Sequence, residues 1–186
     1  MIPFSPPRID QAVIDEVTAA LQSGWITTGP RTKQFEKEIT AYCGSKTTIA
    51  VSAWTTGMEV LLRWWGVGPG DEVILPAYTY CASANVVLHT GATPVLVDSD
   101  PTNFNLSISA VASAITSRTK VIMPVDIGGL PCDYAALFKL IEDKRSIFEL
   151  NSPEQEKLGR ILLAADAAHS FGALYNNKRV GSLADI

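Results

Sequence analysis

A carboxylate and an imidazole stand three residues apart directly after a strongly apolar run. Asp166 and His169 follow residues 161–165, whose composition is typical of a buried strand. A carboxylate at the mouth of an apolar strand loses hydration and needs a cationic or hydrogen-bonding partner. The pair is therefore a candidate ligand-binding site. The spacing fits equally well an Asp166 that caps the following turn beside a His169 that is only a surface imidazole.

Small hydroxyl residues follow another β-rich run, at the point where a helix is predicted to begin. Thr55 and Thr56 stand between the run 48–52 and a helix predicted over 56–65. The first N–H groups of a helix lack intrahelical acceptors and lie at the positive end of its dipole, which suits a phosphate. The pattern Thr56-x-x-Glu59 is also a capping box, which would satisfy those donors internally. Both interpretations stay open.

Two aromatic side chains follow a third apolar run. Tyr78 and Tyr80 come directly after residues 72–76. A tyrosine at the end of a strand could stack on a flat heterocycle. Packing in the core, or a hydrophobic staple at the start of the next helix, is the alternative.

These candidates are positioned by short apolar runs that alternate with helical segments. The runs predict strands over residues 48–52, 72–76, 94–98, 120–125 and 160–165. The other segments predict helices over residues 10–22, 32–42, 56–65, 80–89, 107–116 and 133–145. Such alternation predicts an α/β fold with a mainly parallel sheet flanked by helices. Because ligands bind beyond the carboxyl ends of parallel strands, the candidate residues should meet at one edge of the sheet.

The remaining segments predict a simple organisation. We expect an amino-terminal helical segment over residues 1–47 and one larger domain over residues 48–186. The polar stretch 146–159 is expected to be an exposed excursion before the last strand. Residues 175–178 contain two asparagines and are expected to form a hairpin turn.

The composition of the chain argues against two classes of binding partner, nucleic acids and anionic membranes. The chain has 186 residues and a formal net charge of −4, without a Lys- or Arg-rich run. This argues against a nucleic acid or an anionic membrane, since both need a clustered positive surface. The first eight residues lack the features of a signal peptide, so we expect a cytoplasmic protein. We expect Cys43, Cys81 and Cys132 to be buried free thiols, and no metal site is predicted.

Eight short motifs together carry a resemblance to a known family. They lie at residues 23–30, 68–74, 76–80, 97–101, 118–125, 129–133, 166–173 and 181–182. In order and spacing they resemble the amino-terminal part of a DegT/DnrJ/EryC1/StrS sugar aminotransferase, a fold type I enzyme that uses pyridoxal 5′-phosphate. The resemblance implies a fold type I large domain, incomplete at its carboxyl end, with the small carboxyl-terminal domain absent.

The resemblance also implies roles for particular residues. The backbone of Thr55 and Thr56 would hold the cofactor phosphate, and Tyr80 would stack on the pyridine ring. Asp166 would pair with the ring nitrogen and keep it protonated, so that the ring can accept electrons. His169 would lie near the phenolic oxygen of the cofactor. Asp166 and His169 are thus the expected catalytic residues of this chain.

The activity implied by the resemblance is transfer of an amino group, with glutamate as the expected donor, to a keto group of a nucleotide-linked sugar. The family also implies a homodimer. A pyridoxal-phosphate-dependent sugar dehydratase, or a non-catalytic half-length binding protein, stays open as an alternative.

Three departures from the family pattern bear on these expectations. Trp54 stands where family members commonly have glycine, and Asp126 stands where they commonly have histidine. The lysine that binds the cofactor covalently lies in family members beyond an element resembling residues 182–185. Lys178 is no substitute because it falls in the predicted hairpin, so we expect the chain by itself to be inactive.

Overall fold

A computed structural model describes residues 6–186 of the chain. The helices are α1 (Gln11–Gln22), α2 (Pro30–Cys43), α3 (Trp54–Trp64), α4 (Ala82–Thr90), α5 (Ile108–Ala114), α6 (Tyr134–Asp143) and α7 (Pro153–Leu158). The strands are β1 (Glu72–Pro76), β2 (Thr93–Val97), β3 (Thr119–Ile122), β4 (Leu162–Leu163), β5 (Leu174–Tyr175) and β6 (Lys178–Arg179). Short 3₁₀ turns span Ile127–Gly129 and Arg145–Ile147. No helix in this part of the chain is long and apolar enough to cross a membrane.

The main sheet is parallel and has the strand order β2-β1-β3-β4. An apolar layer packs on each face of the sheet. Successive side chains of a strand enter the two layers in turn, because they point to opposite faces. Val73 and Leu75 pack in the layer that contains α3 and α4, whereas Ile74 packs in the layer that contains α5 and α6. The predicted α/β fold with a parallel sheet flanked by helices is confirmed.

The first predicted strand is wrong. Residues 48–52 form no strand in the structure, and the side chains of Ile49 and Val51 are 75% and 52% exposed. A β-rich composition does not make a strand unless a neighbouring backbone pairs with it. The contacts of this run lie elsewhere: the backbone N–H of Ala50 donates to Glu36 Oε1 at 2.9 Å, and Thr40 Oγ1 donates to Thr48 Oγ1 at 2.9 Å.

The stretch 146–159 is not simply an exposed excursion. It contains the short helix α7, which begins after Ser152, and Gln155 of that helix is fully buried. Gln155 Nε2 donates to the carbonyl of Trp65 at 2.8 Å, and Gln155 Oε1 accepts from the backbone N–H of Asn151 at 3.1 Å. These contacts fix the stretch against the end of α3.

Two smaller expectations have different outcomes. The hairpin is confirmed: β5 and β6 pair antiparallel across Asn176 and Asn177, which have φ of 49° and 62°. Asparagine tolerates this left-handed conformation better than most residues.

Cys43 and Cys132 are buried as expected, but Cys81 is exposed because it lies in the turn before α4 rather than inside a helix.

Two expectations stay untested. The division into residues 1–47 and 48–186 stays a prediction. The expectation of a missing signal peptide rests partly on residues 1–5, which lie outside the described residues.

We predict that Gln155→Ala lowers the free energy of unfolding by about 2–3 kcal/mol, because it leaves a cavity and removes the hydrogen bonds of Gln155 to Asn151 and Trp65. Equilibrium urea unfolding measures the difference. Lys157→Ala, on the exposed side of the same helix, is the control and should stay within about 0.5 kcal/mol of the parent. Equal effects of the two changes would contradict the packing described for Gln155.

Candidate active site

A cavity of about 260 Å³ lies at the carboxyl edge of the parallel sheet. It is lined by Trp54, Thr55, Thr79, Tyr80, Ala82, Ser83, Val125, Ile127, Asp166, Ala168 and His169. These residues come from the start of α3 and from the segments that follow β1, β3 and β4. Four of the five predicted site residues thus meet in one cavity. This is the expected position, because ligands bind beyond the carboxyl ends of the strands of a parallel sheet.

The fifth predicted residue, Thr56, lies beside the cavity rather than in its lining. Its side chain is exposed, and its Oγ1 lies 3.5 Å from Ser52 Oγ. Its expected role involves only its backbone N–H, which belongs to the first turn of α3. The side chain of Thr55, in contrast, lines the cavity directly.

The amino terminus of α3 is open, and the capping-box interpretation is wrong. Glu59 binds Arg63 Nη2 at 2.9 Å and His89 Nδ1 at 3.0 Å. The N-cap residue is Ala53, and no side chain in the described part of the chain caps this end. The first N–H groups of α3 are therefore left with the positive end of the helix dipole, which favours an anion.

The two tyrosines differ in their surroundings. Tyr80 lines the cavity with 78% of its surface exposed, and Tyr78 packs instead against Phe104, with ring centroids 5.9 Å apart. Tyr78 is also exposed. Core packing is therefore wrong for both residues. An exposed ring at a cavity wall can stack on a flat ligand.

Asp166 has the environment of an acid that lacks a counter-ion. Its carboxylate accepts a hydrogen bond from the backbone N–H of Ala168 at 3.1 Å, so the expected turn cap is present. No Lys, Arg or His among residues 6–186 forms a salt bridge with Asp166. Burial raises the pKa of Asp166, and the charge of Asp126 raises it further, against the opposing effects of Ala168 and His169. A cationic group of a ligand would relieve this cost.

His169 is held by the loop that follows β3. Its Nδ1 accepts from the backbone N–H of Gly128 at 3.4 Å. The ring nitrogen that accepts cannot carry the proton, so the neutral imidazole is protonated on Nε2. His169 can therefore donate a hydrogen bond to an oxygen in the cavity.

Three residues that donate hydrogen bonds to Asp126 were not identified as a cluster from the sequence. Tyr134 and Ser170 donate hydrogen bonds to the buried carboxylate of Asp126, and the backbone N–H of Cys132 does the same. The partners are 6, 8 and 44 residues from Asp126. No local pattern could have identified this cluster.

The comparison with family models identifies the chain. A model of the DegT/DnrJ/EryC1/StrS aminotransferase family matches residues 7–186. The chain belongs to this family. The resemblance carried by the eight motifs is thereby confirmed, and an aminotransferase fold type is established for the chain.

Two curated members of the DegT/DnrJ/EryC1/StrS family align with nearly the whole chain. The spore coat polysaccharide biosynthesis protein SpsC of Bacillus subtilis is 38% identical over 184 residues, which are 99% of this chain and 43% of SpsC. The GDP-perosamine synthase of Caulobacter vibrioides is 40% identical over 185 residues, which are 99% of this chain and 46% of that enzyme. The chain thus spans less than half the length of these relatives.

A solved family member has the same fold over the same region. Spr1654 of Streptococcus pneumoniae, assigned as a sugar aminotransferase, superposes with a TM-score of 0.96 and is 46% identical. The alignment covers 99% of this chain and 46% of Spr1654. Spr1654 has been solved in apo, pyridoxal phosphate and pyridoxamine phosphate forms.

We predict that Asp166→Asn raises the thermal midpoint of the cofactor-free protein by about 2–4 °C at pH 7. The raised pKa of Asp166 means that ionisation is easier in the unfolded chain, so the parent loses stability as pH rises from the ordinary carboxyl range through that pKa. Asparagine keeps the acceptor for Ala168 without the charge.

The gain from Asp166→Asn should disappear below about pH 4, where the carboxyl group is protonated in both states. Differential scanning calorimetry across pH measures the effect. Asp143→Asn, at an exposed position, is the control and should show no such gain. An Asp166→Asn protein that is less stable than the parent at pH 7 would contradict the assigned environment.

Proposed function

We propose that the protein transfers an amino group to a keto group of a nucleotide-linked sugar, with pyridoxal 5′-phosphate as cofactor and glutamate as amino donor. The observation that carries the proposal is the polarity of the cavity. One part of it has the start of a helix that no described side chain caps, which favours an anion, and another part has an acid that forms no salt bridge within residues 6–186. Pyridoxal phosphate has a phosphate and a basic ring nitrogen at separate ends, so the residues present fit it.

Five residues in or beside the cavity would hold that cofactor. The backbone N–H groups of Thr55 and Thr56 would bind the phosphate at the start of α3. The ring of Tyr80 would stack on the pyridine ring. Asp166 would accept a charged hydrogen bond from the protonated ring nitrogen, which relieves the cost of burying the carboxylate. His169 would donate from Nε2 to the phenolic oxygen.

The chemistry divides between the cofactor and this chain. When bound, pyridoxal phosphate supplies an electron sink for the carbon that gains or loses the amino group. Asp166 keeps the proton on the ring nitrogen throughout, and His169 fixes the orientation of the ring. The apolar side chains of Trp54, Val125 and Ile127 line the cavity and would contact the apolar part of the cofactor.

Two features of the complete reaction lie outside this cavity. None of its described lining residues is a lysine. Lys120 is buried and donates to the carbonyls of Ser117 and Glu149, and Lys178 lies in the small hairpin. We infer that covalent attachment of the cofactor and movement of the substrate proton need a lysine from outside residues 1–186. The chain by itself is then inactive.

The choice of substrate rests on the relatives. One is a GDP-perosamine synthase and another is a spore coat polysaccharide biosynthesis protein. A nucleotide-linked sugar is therefore the substrate class proposed for this protein.

We predict that Asp166→Asn slows the half-reaction with glutamate by about 10²–10³-fold, because loss of the charge removes the stabilised proton on the ring nitrogen. The phosphate contacts stay in place, so the cofactor should still bind. Single-turnover absorbance measures the rate on the full-length protein, meaning this chain with whatever its gene encodes beyond residue 186.

The control for this experiment is Asp143→Asn, which should react like the parent. Near-parental rates in Asp166→Asn would leave Asp166 as a turn cap only. Loss of water from the sugar without amino transfer would favour the dehydratase, and failure to bind any cofactor would favour a non-catalytic binding protein.

We also predict that the full-length protein is a homodimer, as the family implies. Trp25 and Trp64 are exposed in this chain, and large exposed aromatic side chains are typical of interfaces. Sedimentation equilibrium at micromolar concentration should give twice the mass of the full-length polypeptide. A monomer under these conditions would contradict the prediction.

A further inference from the structure

A buried carboxylate outside the cavity lining belongs to Asp126, which lies in the chain between the lining residues Val125 and Ile127. Asp126 is 1% exposed, and its two oxygens accept hydrogen bonds from three donor groups. The donors are Cys132 N at 2.8 Å, Tyr134 Oη at 3.1 and 3.0 Å, and Ser170 Oγ at 2.7 Å. We call Asp126 with these three donor residues the Asp126 clamp. A carboxylate buried this deeply is tolerated only because such donors replace its water.

The clamp joins three segments that are distant in sequence. Asp126 follows β3, Tyr134 begins α6, and Ser170 ends the turn that follows β4. The side chain of Asp126 therefore crosslinks the layer that carries α6 to the turn that carries Asp166 and His169.

Asp126 also holds the other end of the same turn. Its backbone N–H donates to the carbonyl of Asp166 at 3.0 Å. Asp166 and Ser170, at the two ends of the segment 166–170, are thus both attached to one residue. His169 lies between them and is held by Gly128, which is two residues after Asp126. Both candidate catalytic residues, Asp166 and His169, are therefore hydrogen-bonded to the segment 126–128.

The donors of the clamp keep their protons over the working range of an enzyme. Burial raises the pKa of Tyr134 and of Cys132, and the charge of Asp126 raises both further. The Tyr134 hydroxyl therefore stays a donor, and the donor from Cys132 is a backbone N–H that does not titrate.

We propose that Asp126 is a positioning residue, which through Ser170 fixes the turn 166–170 so that Asp166 and His169 meet the cofactor ring at the same time. This role rests on the function proposed above. Asp126 does not touch the cofactor itself. It acts by restricting a turn whose side chains must be placed closely, since small displacements of binding groups are costly.

The clamp offers two single hydrogen-bond deletions that separate this role from plain stabilisation. Ser170→Ala removes the link to the turn and leaves Asp126 in place. Tyr134→Phe removes the link to α6, from the same carboxylate, and leaves the turn attached. Both should lower the thermal midpoint. Only the first should change the cofactor site.

The probe is pyridoxamine 5′-phosphate, which needs no covalent lysine. We expect Ser170→Ala to weaken its binding to the full-length protein about tenfold, measured by equilibrium dialysis, and to change the circular dichroism of the bound ligand. Tyr134→Phe should bind within about twofold of the parent and give the parental spectrum. Thermal unfolding of each variant checks that it is folded.

The outcomes separate this inference from the proposed function. If the parent fails to bind pyridoxamine phosphate, the proposed function is wrong and the positioning role falls with it. If the parent binds but Ser170→Ala matches it in affinity and spectrum, only the positioning role is wrong. Equal effects of Ser170→Ala and Tyr134→Phe on both readouts would likewise reduce the clamp to a stabilising contact.

Discussion

The backbone ladder between β3 and β4 is the interaction on which the site depends. Its hydrogen bonds continue beyond the strands, since Ala164 N donates to the carbonyl of Ile122 and Asp166 N donates to that of Pro124. Asp166 thus pairs in register with Val125 as an isolated bridge. Because side chains alternate along paired backbone, this register decides on which side the carboxylate lies. A shift by one residue would turn Asp166 away from the cavity.

Two electrostatically unfavourable groups lie at the same edge of the sheet. The helix α3 begins without a side-chain cap in the described part of the chain, and Asp166 is partly buried without a counter-ion there. A side-chain cap is worth about 1 kcal/mol, and burial of a carboxylate without a cationic partner costs free energy. Opposite unpaired charges at two ends of one cavity favour a ligand with an anionic and a cationic end. This is the pattern of a binding site, where local stability is exchanged for affinity.

The sequence predicts those parts of the molecule that depend on local pattern. The strand β1 and the site residues Tyr80 and Asp166 are predicted because an apolar run and the residues after it are contiguous. The strand over 48–52 fails because a strand needs a partner backbone, and the capping box fails because Glu59 finds better partners. One of these, His89, belongs to the neighbouring helix. Burial of Gln155 and the hydrogen bond from Ser170 to Asp126 depend on contacts across 90 and 44 residues, which no window of sequence contains.

The two ends of the cavity are held by different parts of the fold. The acid end is fixed by the sheet ladder and by the Asp126 clamp. The end at α3 follows residues 48–52, which the sheet does not pair and which α2 holds through Glu36 and Thr40. The distance between the ends is therefore set by packing of α3 on the sheet, through the buried side chains Met58 and Leu62. Interiors pack closely and resist deformation, so this apolar contact contributes to whether one ligand can reach both ends.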